Sequence, residues 1–356
     1  MNVVFRADAN TSVGMGHIMR CLSIADAFRD AGHRVSFVMA DDTVDGFVRN
    51  RGYKAIILHS NYTRLAEEMW PSMDSDLIIV DSYYATFQYL SDLKKRMSVC
   101  GGKLAYLDDI YSFPYPVDFL INYNAYSSQA VYEELYSGIK MPSMILGPRY
   151  APLRSMFKGI ERSVQPKTVK NVLISTGGSD GLHFTVNILR ALVEQQKCER
   201  RYHILIGSMN TDRETIYELA EKREFIVLHE NIKNMKGLIT DCDLAISAAG
   251  STLYEICACG IPLITYAMAD NQISGAEAFG DMGMGINIGD LRAPNSACES
   301  DRRLVSDGVE RILNAAEALA SNYKRRCEMG TKMQELIDGY GADRMVQKLM
   351  EMCNRS

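Results

Sequence analysis

Gly14-Met15-Gly16-His17 follows an apolar run that reads as a strand, Val3 to Arg6, and opens an amphipathic stretch that reads as a helix, Ile18 to Ala31. Glycines at such a turn let backbone approach a ligand closely, and the first N–H groups of the helix face negative charge. His17 stands in the first helical turn, where an imidazole serves as general base near neutral pH. A capping or hydrogen-bonding role fits the same spacing. Met19 stands where the third glycine of a dinucleotide fingerprint would be, so that fingerprint is not supported. His33, His59, His183, His203 and His229 have no comparable setting and read as surface or loop residues.

Thr176-Gly177-Gly178-Ser179-Asp180 repeats the design in the second half, either as a phosphate cradle or as a plain tight turn. Ser247-Ala248-Ala249-Gly250-Ser251-Thr252 leaves a strand for a helix carrying Glu255. Small residues there admit a diphosphate against backbone N–H groups, and the carboxylate one turn in suits ribose hydroxyls; a capped turn is the bland alternative. Asp270-Asn271-Gln272 offers amides for sugar hydroxyl or acetamido groups, or a helix N-cap. Asp81-Ser82-Tyr83-Tyr84 ends another strand, with tyrosines that bind a ligand or pack.

These turns need strands to hold them. In the first half, Val35 to Met39, Leu77 to Val80, Lys103 to Leu107, Asp118 to Asn122 and Met144 to Gly147 read as strands, with amphipathic segments such as Leu65 to Trp70 between some of them. The polar stretch Lys158 to Lys170 reads as a linker. From Asn171 the rhythm restarts, with strands Val172 to Ser175, Tyr202 to Ile206, Phe225 to Leu228, Leu244 to Ser247 and Pro262 to Tyr266. Two sets of βα units, each with a glycine turn after its first strand, predict an α/β protein of two Rossmann-like domains, residues 1–160 and 161–356, facing across a cleft. Asp301 to Asn354 reads as helices closing the second domain.

At 356 residues and 47% hydrophobic content, each half has material for a core. A net charge of -5 argues against a nucleic-acid coat. Nine cysteines, an odd number without a zinc-type CxxC pair, read as reduced thiols. No signal peptide is visible, and no run of about 18 apolar residues reads as a membrane span. The expectation is a soluble cytoplasmic monomer that binds neither nucleic acid nor membrane and needs no cofactor or metal.

Taken in order, Phe5-Arg6-Ala7-Asp8, Gly14-Met15-Gly16-His17, Val80-Asp81-Ser82-Tyr83, Leu107-Asp108-Asp109, Asn122-Tyr123-Asn124-Ala125-Tyr126, Gly147-Pro148-Arg149-Tyr150, Gly177-Gly178-Ser179-Asp180, Ser247-Ala248-Ala249-Gly250-Ser251 and Asn271-Gln272 form one set spanning residues 1 to about 290. The chain thereby resembles the UDP-2,4-diacetamido-2,4,6-trideoxy-β-L-altropyranose hydrolases of pseudaminic acid biosynthesis. More widely it resembles the inverting UDP-sugar glycosyltransferases of peptidoglycan synthesis, which have the GT-B fold. The resemblance implies that His17 activates a water that attacks the anomeric carbon, with UDP leaving and inversion at that carbon. With the turns above, the substrate side takes in Arg6, Asp8, Gly14, Gly16, Tyr83, Asn124, Asn271 and Gln272. The UDP side takes in Gly177, Gly178, Ser179, Asp180, Ser247, Gly250, Ser251 and Glu255. A UDP-sugar-dependent transferase, a non-catalytic nucleotide-sugar-binding module and a C2 epimerase are the rival readings.

Overall fold

The apolar runs form strands that are largely buried on both faces, as a parallel sheet covered by helices requires. A computed structural model describes residues 1–10, 14–70, 74–161, 164–178, 180–194, 199–292 and 300–355. The strands of the first half are β1 (Asn2–Ala7), β2 (Arg34–Met39), β3 (Lys54–Ile57), β4 (Leu77–Asp81), β5 (Lys103–Leu107), β6 (Phe119–Asn122) and β7 (Ser143–Leu146). Those of the second are β8 (Asn171–Ser175), β9 (Arg201–Leu205), β10 (Ile226–His229), β11 (Leu244–Ala248), β12 (Leu263–Ala267) and β13 (Ile286–Asp290).

Each half builds its own parallel sheet, in the orders β3-β2-β1-β4-β5-β6-β7 and β10-β9-β8-β11-β12-β13. Both are Rossmann-like. The chain steps outward from the first strand of each sheet in one direction, then returns beside it and steps out in the other. Connections therefore diverge between β1 and β4 and between β8 and β11, the points where ligands of such sheets bind.

The helix Gly16–Asp30 buries Ile18, Cys21, Leu22, Ala25 and Phe28 at three- and four-residue spacing. Phe28 meets the edge of Phe5, whose ring stacks on Phe37 at 5.2 Å, and this fixes the helix over β1 and β2. Thr86 caps the helix Phe87–Val99 by accepting from the Tyr89 N–H. The amphipathic stretch Leu65 to Trp70 makes only a 3₁₀ turn, Leu65–Glu67, because the backbone turns extended at Glu68, whose carboxylate lies on the buried Arg6.

The chain divides into two compact units, Met1–Ser155 with Gly339–Ser356, and Met156–Asp338. This differs from the expected closure of the second domain by all the C-terminal helices. Ser300–Ser321 and Tyr323–Leu336 stay with the second unit, but Gly341–Arg355 returns to the first, against the helix Gly16–Asp30. Its buried stripe of Ala342, Met345, Val346 and Leu349 accounts for the packing, and Gly341 lets it start against the Ala151 backbone, closer than 3.0 Å from where a Cβ would stand. An amphipathic pattern shows that a helix covers something, not which sheet it covers. Among the described residues, no helix is long and apolar enough to cross a membrane.

Candidate active site

β1 and β4 pair with Ala7 opposite Asp81, so the turn leaving β1 and the last residue of β4 meet at the divergence point of the first sheet. His17 and Arg20, three residues apart on one helix face, both reach Asp81. His17 Nδ1 lies 2.5 Å from Asp81 Oδ1. Arg20 grips the same carboxylate with Nε at 2.6 Å and Nη2 at 2.5 Å, and the Cys21 thiol adds a bond at 3.4 Å. An accepting carboxylate on Nδ1 selects the tautomer protonated there, which makes Nε2 the basic nitrogen of His17.

A second carboxylate closes the arrangement into a ring. Asp109 accepts from Arg20 Nη1 at 2.9 Å and from the Tyr83 hydroxyl at 3.0 Å, and the Tyr83 ring stands edge-on to His17 with centroids 4.5 Å apart. His17 is thereby held at Nδ1 by Asp81 and packed against the Tyr83 ring.

Burial opposes ionisation of Asp81, but the Arg20 guanidinium and His17 outweigh it and hold the carboxyl well below its usual range. Because its pKa is depressed in the fold, the stability Asp81 contributes is fully present above the ordinary carboxylate range and is lost only as strong acid is approached. Burial also opposes the charge on Arg20, yet the Asp81 and Asp109 carboxylates keep it protonated. Two carboxylates and one guanidinium leave the cluster one negative charge in excess while His17 is neutral.

Several expected residues are placed otherwise. Arg6 is fully buried, bonded through Nε to Glu68 at 3.0 and 3.1 Å and through Nη1 to Asp8 at 2.5 Å. Asp8 also accepts from the Ala40 N–H at 2.8 Å. This pair ties β1 to its neighbours and presents no group to a ligand, because a buried charge needs partners of its own. Gly14 has φ +78, which suits glycine alone, and Gly16 is exposed at the helix start. Asn124 lies past β6, two strands from β4, with its amide donating to Asn122 at 3.0 Å.

In the second unit, the turns after β8 and β11 flank the corresponding divergence point, with Ser175 opposite Ser247. Gly177 has φ +87, and Gly178 is exposed. Asp180 is buried and accepts from the Phe184 and Thr185 N–H groups at 2.8 and 2.7 Å, so it caps the helix Phe184–Val193 and occupies donors that a phosphate would need. Ser247 is buried too, its hydroxyl turned to the Ala248 carbonyl at 3.1 Å. Ser179 lies outside the described residues.

The helix Thr252–Cys259 is different. Its N-cap, Ser251, is exposed and makes no side-chain cap bond, Gly250 precedes it, and Glu255 stands in its first turn, partly exposed. A phosphate is better served here than at the capped helix after β8. Asn271 is exposed in the first turn of the helix Asp270–Asp281, whereas Gln272 uses its side-chain oxygen on the Met268 N–H at 2.8 Å.

Sequence reasoning did not single out Arg20 or assign Asp81 and Asp109 to the site. The signal for Arg20 was its three-residue spacing from His17; that for Asp81 was its place at the end of the strand paired with β1.

Residues 172–334 match the glycosyltransferase family 28 C-terminal domain. The spore coat polysaccharide biosynthesis protein SpsG of Bacillus subtilis is 23% identical over 360 residues, 99% of this chain and 98% of that protein. The UDP-2,4-diacetamido-2,4,6-trideoxy-beta-L-altropyranose hydrolase of Campylobacter jejuni is 25% identical over 256 residues, 72% of this chain and 87% of that one. Protein MJ1062 of Methanocaldococcus jannaschii is 25% identical over 278 residues, 74% of this chain, which spans 55% of that relative's length. Among solved structures, MurG of Acinetobacter baumannii matches with TM-score 0.61 at 13% identity, over 99% of this chain and all of that one. A UDP-glucosyltransferase of Polygonum tinctorium matches with TM-score 0.68 at 11% identity, over 99% and 98%. The fold is that of the GT-B glycosyltransferases.

Proposed function

We propose that the protein hydrolyses a UDP-linked 2,4-diacetamido-2,4,6-trideoxy hexose of the β-L-altropyranose type to free sugar and UDP, a step of pseudaminic acid biosynthesis. The observation that carries this reading is the His17–Asp81 pair, locked by Arg20, Asp109 and Tyr83 where β1 and β4 diverge. It is a built general base, and a module that only bound a nucleotide sugar would have no use for one. His17 Nε2 takes the proton of a water whose oxygen bonds to the anomeric carbon; the bond from that carbon to the diphosphate oxygen breaks, its electrons leave with UDP, and the carbon inverts. In the second unit, the Gly250-Ser251 turn and the Gly177-Gly178 turn serve the diphosphate, Glu255 the ribose and Asn271 the sugar. Helix N–H groups stabilise the charge that develops on the leaving oxygen.

Transfer to an acceptor is the second reading. It is favoured by the family 28 match and by the exposure of Tyr84, on the turn after Asp81, and of Phe87, at the start of the next helix, which offer an apolar rim for a second substrate. Incubation with UDP-diacetamido sugars and no acceptor separates the two. Hydrolysis is expected to yield free sugar and UDP in equal amounts over many turnovers; a UDP-sugar left intact until an acceptor is supplied would overturn it in favour of transfer.

A further inference from the structure

The Gly177-Gly178 turn has a neighbour pressed against it. A Cβ on Gly207, in the turn that follows β9, would come closer than 3.0 Å to the carbonyl oxygens of Gly177 and Gly178. The next contact is a hydrogen bond, in which the Met209 N–H donates to the Gly178 carbonyl at 2.9 Å. Both carbonyls therefore face the β9 turn. That turn is itself braced, because Arg213 donates to the Gly207 and Ser208 carbonyls at 3.3 and 3.2 Å and pairs with Glu230 at 3.5 Å. The Asn210 N–H closes it onto the Gly207 carbonyl at 3.1 Å.

In a trans peptide the C=O and the following N–H point in opposite directions, and no cis peptide occurs among the described residues. With the Gly177 carbonyl set against Gly207, the Gly178 N–H points away from the β9 turn. Gly178 is also exposed. Its N–H is thus turned outward by a backbone contact that only glycine at 207 permits.

We propose that Gly207 is a positioning residue for nucleotide binding: it is the backstop that sets the Gly177–Gly178 peptide plane and so aims the Gly178 N–H at a phosphate. The inference rests on the UDP-binding reading above. It reaches a residue that touches no ligand, and it assigns the effect to phosphate alone, not to the base or ribose.

The test uses the full chain, titrated with UDP and with uridine and followed by amide NMR and calorimetry. In the native protein the Gly178 amide is expected to shift with UDP and to stay nearly still with uridine. Gly207→Ala should weaken UDP binding by about tenfold or more, the effect of losing a hydrogen bond to a charged group, and leave uridine binding unchanged. A Gly207→Ala protein that binds UDP as tightly as the native chain, or a native Gly178 amide indifferent to saturating UDP, would overturn the proposal. If Gly207→Ala does not fold, the native amide response decides alone. Absence of any UDP binding by the native chain defeats the parent reading and this inference together, whereas UDP binding without the Gly178 response defeats this inference only.

Discussion

His17→Asn is expected to lower the turnover of a UDP-diacetamido sugar by about 10²- to 10⁴-fold, the usual contribution of a positioned base. Affinity for UDP should stay close to native. The substitution removes the imidazole but leaves Asp81 paired with Arg20 through two bonds, so the charged core of the site keeps its partners. The groups proposed to hold the nucleotide lie on the turns after β8 and β11, in the other unit of the chain. Kinetics, UDP titration and circular dichroism on one preparation check this. A folded His17→Asn protein with near-native turnover would take the base role from His17.

Asp81→Asn should be nearly as damaging to turnover, by about 10²-fold or more, and unlike the first change it should also cost stability. An amide in place of the carboxylate is able to donate to Nδ1, which favours the tautomer whose Nε2 carries the proton, and a nitrogen so protonated is no base. Arg20, whose side chain is about nine-tenths buried, would keep Asp109 as its one charged partner among the described residues. Breaking a buried ion pair from one side costs up to about 3–5 kcal/mol, and the surviving pair should hold the loss towards the lower end. The expected signature is a fall in kcat with KM little changed, together with a lower thermal midpoint. A variant with lowered stability but native kcat would mark Asp81 as a structural anchor for Arg20 alone.

Much of this architecture is legible in the sequence. Short β-branched runs punctuated by glycine turns give alternating strands and helices, and two successive sets of them give two sheets. What the pattern carries poorly is contact between distant segments. Arg6 and Asp8 sit beside the glycine turn in sequence, yet β1 is buried on both faces and the inward turn of Glu68 holds Arg6 in a buried ion pair. Asp180 lies in a motif that suggests phosphate, but a carboxylate two to five residues before a helix competes for the same N–H groups and takes them. The helix Gly341–Arg355 is amphipathic wherever it packs, and only the fit of Met345, Val346 and Leu349 sends it back to the first unit. Conversely, the placement of His17 in the first turn of its helix was legible because the signal is local: a glycine turn followed by a helix start. Its partners come from β4 and from the turn after β5, which no local pattern joins to it.

The most direct test of the account is turnover of the UDP-diacetamido sugar in oxygen-18 water, with the label located by mass spectrometry and by NMR isotope shift. Attack of a water activated by His17 at the anomeric carbon predicts the label on C1 of the released sugar, opposite in anomeric configuration to the substrate when first formed, and UDP without label. Label in the phosphate of UDP, or sugar of unchanged configuration at first formation, would contradict it.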